Sequence, residues 1–449
     1  MASDDIVVGY AAIGNVGAFP EALVKKVRLR GLELVRTLCE DVVEITYFID
    51  SFDEMKKAVT EISRSQVDLL VINVCTWVDA GITIGLFKAL SNKKIILWSF
   101  AEDAALLPLT ALIEITSTVT KLGHKFLTLL GPAERKETST ELELLVRVFA
   151  SILHIEKASI GLIGYNSPGM IDSTPDEIAM RRYFGAELKH LDLQELVAKH
   201  GRIDDISATK IANDLLNNIG RSEVDKAELV SSCKLYLAMR EIVQKYELSA
   251  IAIRCWPELK GNVSGLRATP CYALSKLTDE GVIGACEADV SSLVTMMLLK
   301  TLSGLPPVML DYNRITESQN TISLWHCGAH ASSIVGDLKE ISLRHPSEGG
   351  LRELGDGMAL EFALPPGKAT LAKITREYNK IVTAGIQFVK PSLVYRGGIA
   401  EGTLDVDART YFKIIVREGF EHHVCAVYKE VRKELSLCAQ LLGIELIEI

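Results

Sequence analysis

A chain of 449 residues with 48 % apolar side chains can bury two or three cores, and a net charge of −9 with acids and bases interspersed excludes a nucleic-acid surface or a polybasic membrane patch. The acidic start Met1-Ala-Ser-Asp-Asp5 lacks a secretory n-region, and no apolar run approaches the roughly 18 residues of a membrane span. Nine cysteines without CxxC pairs, with Cys39, Cys233, Cys286 and Cys438 in apolar runs, read as buried thiols in a reducing compartment, so the expectation is a cytoplasmic metabolic protein.

From residue 6 to about 153 the pattern alternates strand and helix. Residues 6–13, 42–49, 67–74 and 94–100 read as strands, and 20–40, 52–63, 84–90 and 104–112 as helices, which predicts a parallel sheet covered on both faces. Gly14 and Gly17 do not complete a GxGxxG, and no GxxxxGK[ST] occurs, so the dinucleotide and P-loop signatures are both missing. After the third strand comes Asn73-Val-Cys-Thr76-Trp77-Val-Asp79, where an aromatic and polar groups suit a hydroxylated ligand; the alternative is that Trp77 only packs.

A second alternation starts near His154. Residues 158–163 predict a strand, Gly164 to Asp172 a loop rich in turn formers that carries Asn166, and a helix follows from about Pro175. A short strand at 188–191, helices at 204–217 and 226–247, and a strand at 250–253 come next. That last strand ends in Arg254-Cys-Trp256-Pro-Glu258, again polar and aromatic.

The best candidate for chemistry lies between Gly284 and Gly328. Cys286-Glu287-Ala-Asp289 precedes a helix at 290–302, Val308-Met-Leu-Asp311 follows a double proline, and Leu324-Trp325-His326-Cys327-Gly328 closes a further apolar run. Carboxylates and an imidazole at the ends of such runs occupy the place where open α/β sheets bind ligands. Glu287 calls for a cation or a basic partner, Arg254 or Arg314 being the structural alternative; Asp289 reads as a helix N-cap, Asp311 as a turn residue or a functional one. His326 alone reads as a packed core histidine, and His422-His423 as a solvated pair in a charged turn.

Beyond about Ser333 the runs shorten. Residues 340–343, 358–363, 370–375, 380–388 and 411–416 read as strands between turns at Gly349-Gly350, Pro365-Pro366-Gly367 and Gly397-Gly398, which predicts a small antiparallel barrel or sandwich. A helix at about 429–442 and an apolar tail end the chain.

Taken together, two carboxylates and an imidazole make a hard site that favours Mn²⁺ or Mg²⁺ and tolerates Co²⁺ or Fe²⁺. Such a site can polarise adjacent oxygens of an open-chain sugar while a carboxylate moves the proton between them.

These residues resemble the L-fucose isomerase and L-arabinose isomerase superfamily. The resemblance rests on Cys286-Glu287-Ala-Asp289, Leu310-Asp311, Trp325-His326-Cys327-Gly328 and His423-Val-Cys-Ala-Val-Tyr428, with support from Gly164 to Asp172 and Thr76-Trp77. It implies an α/β fold of two Rossmann-like doubly wound domains, residues 1–155 and 156–305, followed by a C-terminal β-rich, barrel-like domain, residues 306–449. It further implies a metal-dependent aldose-ketose isomerase acting on a pentose or 6-deoxyhexose, an intramolecular oxidoreductase of carbohydrate metabolism. Glu287, Asp311 and His423 carry over as metal ligands, with His326 as a fourth ligand or a substrate contact. Glu287 and Asp311 double as the acid/base pair, and the cofactor is Mn²⁺, with Mg²⁺ or Co²⁺ as alternatives. Trp77, Asn166, Trp256, Glu258 and His326 are the expected sugar contacts, in a homo-oligomer, trimer or hexamer, whose sites lie near subunit interfaces.

Two rivals remain from the sequence alone: a non-catalytic sugar-binding protein, and an isomerase or epimerase of an anionic sugar on the same fold. The second needs an arginine or lysine cluster or a free helix N-terminus near the site, and Arg28, Arg30, Arg254 and Arg267 are the candidate cations. If Asp289 is only a cap, Asp289→Asn should leave activity intact.

Overall fold

The computed structural model describes residues 6–100, 106–348, 352–353, 355–392 and 395–449. The chain divides into two compact units, Met1–His154 and Ile155–Ile449. The expected turn at Gly349-Gly350 and the start of the helix expected from Ala104 lie outside the described residues.

In the first unit β1 (Val8–Ile13), β2 (Val42–Ile49), β3 (Leu69–Val74), β4 (Lys94–Ser99) and β5 (Leu127–Leu130) form one parallel sheet in the order β2-β1-β3-β4-β5. β1 and β3 are buried along their whole length, which is why they read as continuous apolar runs rather than alternating ones. The helices Glu21–Leu38, Phe52–Arg64, Ala80–Ala89 and Pro108–Lys121 follow the first four strands in turn. Ser51 caps the second helix by accepting from the Glu54 amide at 3.3 Å, and Asp79 caps the third through Gly81 at 2.8 Å.

The second unit holds two sheets that matter for the site. β6 (Ser159–Ile163), β7 (Glu187–Leu191), β9 (Ala250–Ile253) and β10 (Ile283–Ala285) are parallel in the order β10-β9-β6-β7. The larger, mixed sheet takes in β8 (Arg221–Ser222), β11 (Val308–Thr316), β12 (Thr321–His326), β13 (Ser342–Arg344), β16 (Ala359–Ala363), β17 (Gly367–Ile374), β18 (Lys380–Val389), β19 (Gly398–Leu404), β20 (His423–Val427) and β21 (Glu445–Glu448). Its order is β21-β18-β17-β20-β11-β12-β19-β16-β13-β8. β18 also pairs with β19, so the ladder β18-β17-β20-β11-β12-β19 returns to its first strand. A two-stranded ribbon of β14 (Ser347–Glu348) and β15 (Arg352–Glu353) stands apart.

Residues 411–416, expected as a strand, form the middle of the helix Ala408–Glu418. Asp407 caps it by accepting from the Thr410 amide at 2.8 Å, Ala408, Tyr411 and Ile415 are buried at helical spacing, and Gly419 ends it at φ 72°. The β-branched and aromatic content of 411–416 spoke for a strand, but the cap and the helical period decide. Gly398 and Gly367, expected as turn residues, each open a strand. All nine cysteines are buried free thiols, as expected, and among the described residues no helix is long and apolar enough to cross a membrane.

Candidate functional site

The site is set by strand ends and by sheet register. Asp311 on β11 is the direct cross-strand partner of His423 on β20 and of Trp325 on β12. Cross-strand partners stand about 5 Å apart on one face, so pairing of β11 with both neighbours gathers residues more than a hundred positions apart. His326 closes β12, and Gly328 must be glycine: at φ 108° a Cβ there would lie 2.4 Å from the Leu360 carbonyl oxygen.

Glu287 enters from the other sheet. It lies just past β10, and both Glu287 and Ala288 adopt φ 60°, a left-handed conformation rare for such residues. A backbone hydrogen bond from the Ala288 amide to the Ile253 carbonyl at 3.0 Å, and one from the Ser167 hydroxyl to the Glu287 carbonyl at 3.2 Å, hold this bend against the end of β9 and the loop after β6.

Four expected residues converge as a result. His423 Nε2 lies 3.3 Å from Glu287 Oε2 and 3.5 Å from Asp311 Oδ1. One ligand atom each from Asp311, His326 and His423 falls within 4.8 Å of the others, and the same holds for Glu287, His422 and His423. The Nε2 atoms of His326 and His423 are buried and have no hydrogen-bond partner among the described residues. Two orphaned imidazole nitrogens beside two carboxylates are the donor set of a divalent cation site, so the residues present fit a hard metal ion.

Beneath this face lies a support that the sequence did not disclose. Asp289 is the expected N-cap, accepting from the Ser292 amide at 2.8 Å. It also accepts from His423 Nδ1 at 2.8 Å, from Lys373 Nζ at 3.1 Å, and from the hydroxyls of Ser291 at 2.8 Å and Ser292 at 2.6 Å. The reading of Asp289 as a cap and nothing more is therefore corrected. With Nδ1 committed to Asp289, His423 turns its Nε2 toward Glu287 and Asp311, and these three carboxylates raise its imidazole well above the usual range against the effect of burial. Lys373, 1 % exposed on β17, also donates to Ser291 Oγ at 2.8 Å and Ser292 Oγ at 2.7 Å.

His422 and His423, expected as a solvated pair, separate in role. His423 opens β20 and is wholly buried, whereas His422 is partly exposed and shares a hydrogen with Asp172 Oδ2 across 2.6 Å from its Nδ1. The charged segment before them ends where β20 is drawn between β11 and β17. The alternative of an arginine partner for Glu287 does not hold for Arg254, whose guanidinium bonds Glu258 at 2.5 Å.

The electrostatics follow from burial and neighbours. Burial alone would raise Asp289, but the Lys373 ammonium, His423 and Ser292 outweigh it and hold the carboxyl well below its usual range. Glu287 is likewise driven down against its burial by His422 and His423. Burial wins at Asp311, which is raised despite His423 and His326. His330, whose Nε2 meets the Met309 carbonyl at 3.0 Å, is pushed down to about 4 by burial and by His326.

The expected sugar contacts are dispersed. Asn166 is half-buried and donates to Thr174 Oγ1 at 2.7 Å. Trp256 is 36 % exposed, and Glu258 lines, with Arg254, Tyr165, His190 and Asp192, a cleft of about 320 Å³ whose walls do not include Glu287 or Asp311. Trp77 belongs to the first unit, where its indole donates to Glu114 at 3.1 Å. Of the candidate cations, Arg28 pairs with Glu44 and Arg30 with Glu134, while Arg267 is held by Asp225, Glu228 and Asp356; Arg254 alone of the four lines that cleft.

Sequence reasoning missed Lys373, Asp172, and the second role of Asp289. A lysine flanked by Ala372 and Ile374 in an apolar run is the one signal that the sequence offers for Lys373.

No protein-family model matches the chain. It is 29 % identical over 367 residues, 79 % of this chain and 80 % of the relative, to a sulfoquinovose isomerase of Alkalicoccus urumqiensis. It is 24 % identical over 454 residues, 97 % of each chain, to a sulfoquinovose isomerase of Priestia aryabhattai, and 23 % identical over 393 residues, 84 % and 85 %, to one of a Clostridium species. These relatives bear out the expectation of an enzyme that interconverts aldoses and ketoses and set aside the non-catalytic sugar-binding rival.

Proposed function

We propose that this chain interconverts an anionic aldose, sulfoquinovose or a sugar of similar charge, with its ketose, using Glu287 and Asp311 as the proton-transfer pair. The convergence of these two carboxylates with the orphaned Nε2 atoms of His326 and His423 is the observation that carries the reading. The names of the relatives favour an anionic substrate over the pentose or 6-deoxyhexose expected from the resemblance. The resemblance to the L-fucose/L-arabinose isomerase superfamily stays within this proposal as the source of the residue roles.

In the reaction a proton leaves carbon 2 and arrives at carbon 1, while the hydroxyl proton of oxygen 2 passes to oxygen 1. One carboxylate carries the carbon-bound proton, and the other relays the hydroxyl proton through an enediolate of the sugar. A divalent cation, Mn²⁺ with Mg²⁺ or Co²⁺ as alternatives, held by Glu287, Asp311 and His423 with His326 or His422 as a further donor, would polarise oxygens 1 and 2 and acidify the proton between them. Asp289 and Lys373 fix the tautomer and orientation of His423. Arg254, whose guanidinium also meets Glu258 and the Trp256 carbonyl, is our candidate for the substrate's anionic group; Asn166, Trp256 and Glu258 keep the sugar-contact roles that the resemblance implies, and Trp77 that of reaching the site of a neighbouring copy in a homo-oligomer.

The test is solvent deuterium uptake followed by NMR, on metal-stripped protein with and without Mn²⁺, offering sulfoquinovose, L-fucose and L-arabinose. Mn²⁺-dependent exchange confined to the sulfonated sugar supports the reading. Exchange with a neutral sugar alone overturns the substrate, and no exchange with any of the three overturns the reaction.

A further inference from the structure

Glu287 has a second set of neighbours that the isomerase chemistry does not use. Cys286, the residue before it, donates to Cys255 with Sγ atoms 3.3 Å apart, and both thiols are buried at 0 % and 2 % exposure. One ligand atom each from Cys255, Cys286 and Glu287 lies within 4.8 Å of the others. A second thiol pair, Cys271 and Cys327, stands alongside with sulfurs 3.9 Å apart, and Lys260 is buried at 8 % exposure beside all four.

We propose that Cys255, Cys286 and Glu287 form a separate site for a thiophilic divalent cation, Zn²⁺ or Cd²⁺ in class, which draws on the same Glu287 as the sugar site. The ligand set is right for a soft ion: thiolate sulfur selects zinc and cadmium, whereas the oxygen and imidazole donors on the far side of Glu287 suit manganese or magnesium. Zinc–sulfur bonds of about 2.3 Å at a tetrahedral angle place sulfurs about 3.8 Å apart, so the two thiols need to part by only about half an ångström. Binding releases both thiol protons. Two thiolates and a carboxylate leave one negative charge over on a divalent ion, and the buried Lys260 ammonium balances it, which lowers the cost of burying the cluster. Because Glu287 cannot serve both sides at once, occupation of the thiolate site lowers isomerase activity. That consequence rests on the isomerase reading; the binding does not.

The experiment titrates Cd²⁺ into full-length, metal-stripped protein held in excess Mn²⁺ and follows sulfur-to-metal charge-transfer absorption in the ultraviolet. One equivalent per chain should give the band, Cys255→Ser and Cys286→Ser should each weaken binding at least about 10-fold, and Cys271→Ser should keep the band, since second-sphere changes cost less than ligand loss. No band in the wild type overturns the proposal without reference to any variant. A band that survives in the Cys255→Ser/Cys286→Ser double variant, or that is lost in Cys271→Ser with the fold intact by circular dichroism, also overturns it. Failure of the isomerase reading shows up separately, as no deuterium exchange with Mn²⁺ alone.

Discussion

Glu287 and Asp289 are two residues apart in the chain and opposite in character. Asp289 is saturated: five hydrogen bonds from Ser291, Ser292, His423 and Lys373 satisfy its two oxygens in a site closed to solvent. Glu287 is open, 12 % exposed, with imidazoles at 3.3 and 3.8 Å rather than close hydrogen bonds. A carboxylate whose partners are all in place positions its neighbours, whereas one left with free capacity beside orphaned nitrogens is available to substrate or cation. Asp311, also partly exposed, falls with Glu287, and Lys373 with Asp289.

The sharpest way to break this comparison is at the open pair. Glu287→Gln and Asp311→Asn are each expected to lower kcat by about 10²–10⁴-fold with the melting temperature unchanged or raised, since each removes a reacting group. Full kcat in either variant ends its assignment.

At the saturated pair the order of effects reverses. Lys373→Met leaves Asp289 without its cation, and urea denaturation should show a loss of about 3–5 kcal/mol. Asp289→Asn should cost about 10–100-fold in activity through loss of His423 orientation. Retention of full activity there would return Asp289 to the role of a cap.

Acid sharpens the same contrast. The Asp289 carboxyl is depressed in the folded state, so the folded protein releases that proton more readily than the unfolded chain does. Its contribution is therefore fully present above the unfolded value of about 3.9 and is lost as pH falls below it. Melting temperature measured from about pH 6 downward should drop more steeply in the wild type than in Asp289→Asn, and parallel curves would refute the assignment.

Two smaller effects lie at the rim. Arg254→Gln should lower kcat/KM for the sulfonated sugar by about 10–100-fold through KM, the worth of a charged hydrogen bond, and leave any neutral sugar unaffected. Asp172→Asn, on a pair that is 42 % and 37 % exposed, should change activity by no more than a few-fold.

Much of the parallel architecture was legible because buried strands write themselves as short apolar runs and helices announce their caps. Glu287, Asp311, His326 and His423 could be singled out for a related reason: each stands at or beside the end of such a run, where a titratable group is costly unless it has work or a partner. The helix Ala408–Glu418 is masked in the sequence by the β-branched and aromatic run at 411–416, whose propensity speaks for a strand while the Asp407 cap and the spacing of Ala408, Tyr411 and Ile415 speak for a helix.

What the sequence determined by itself is local: which segments bury, where they stop, and which residues stand at the stops. Tertiary structure alone decided the partnerships. Lys373 reaches Asp289 across 84 residues, and His422 reaches Asp172 across 250. Whether a buried lysine or a terminal carboxylate is satisfied depends on the register of β11 against β20 and of β20 against β17, and register is fixed by pairing between strands, which no single segment encodes.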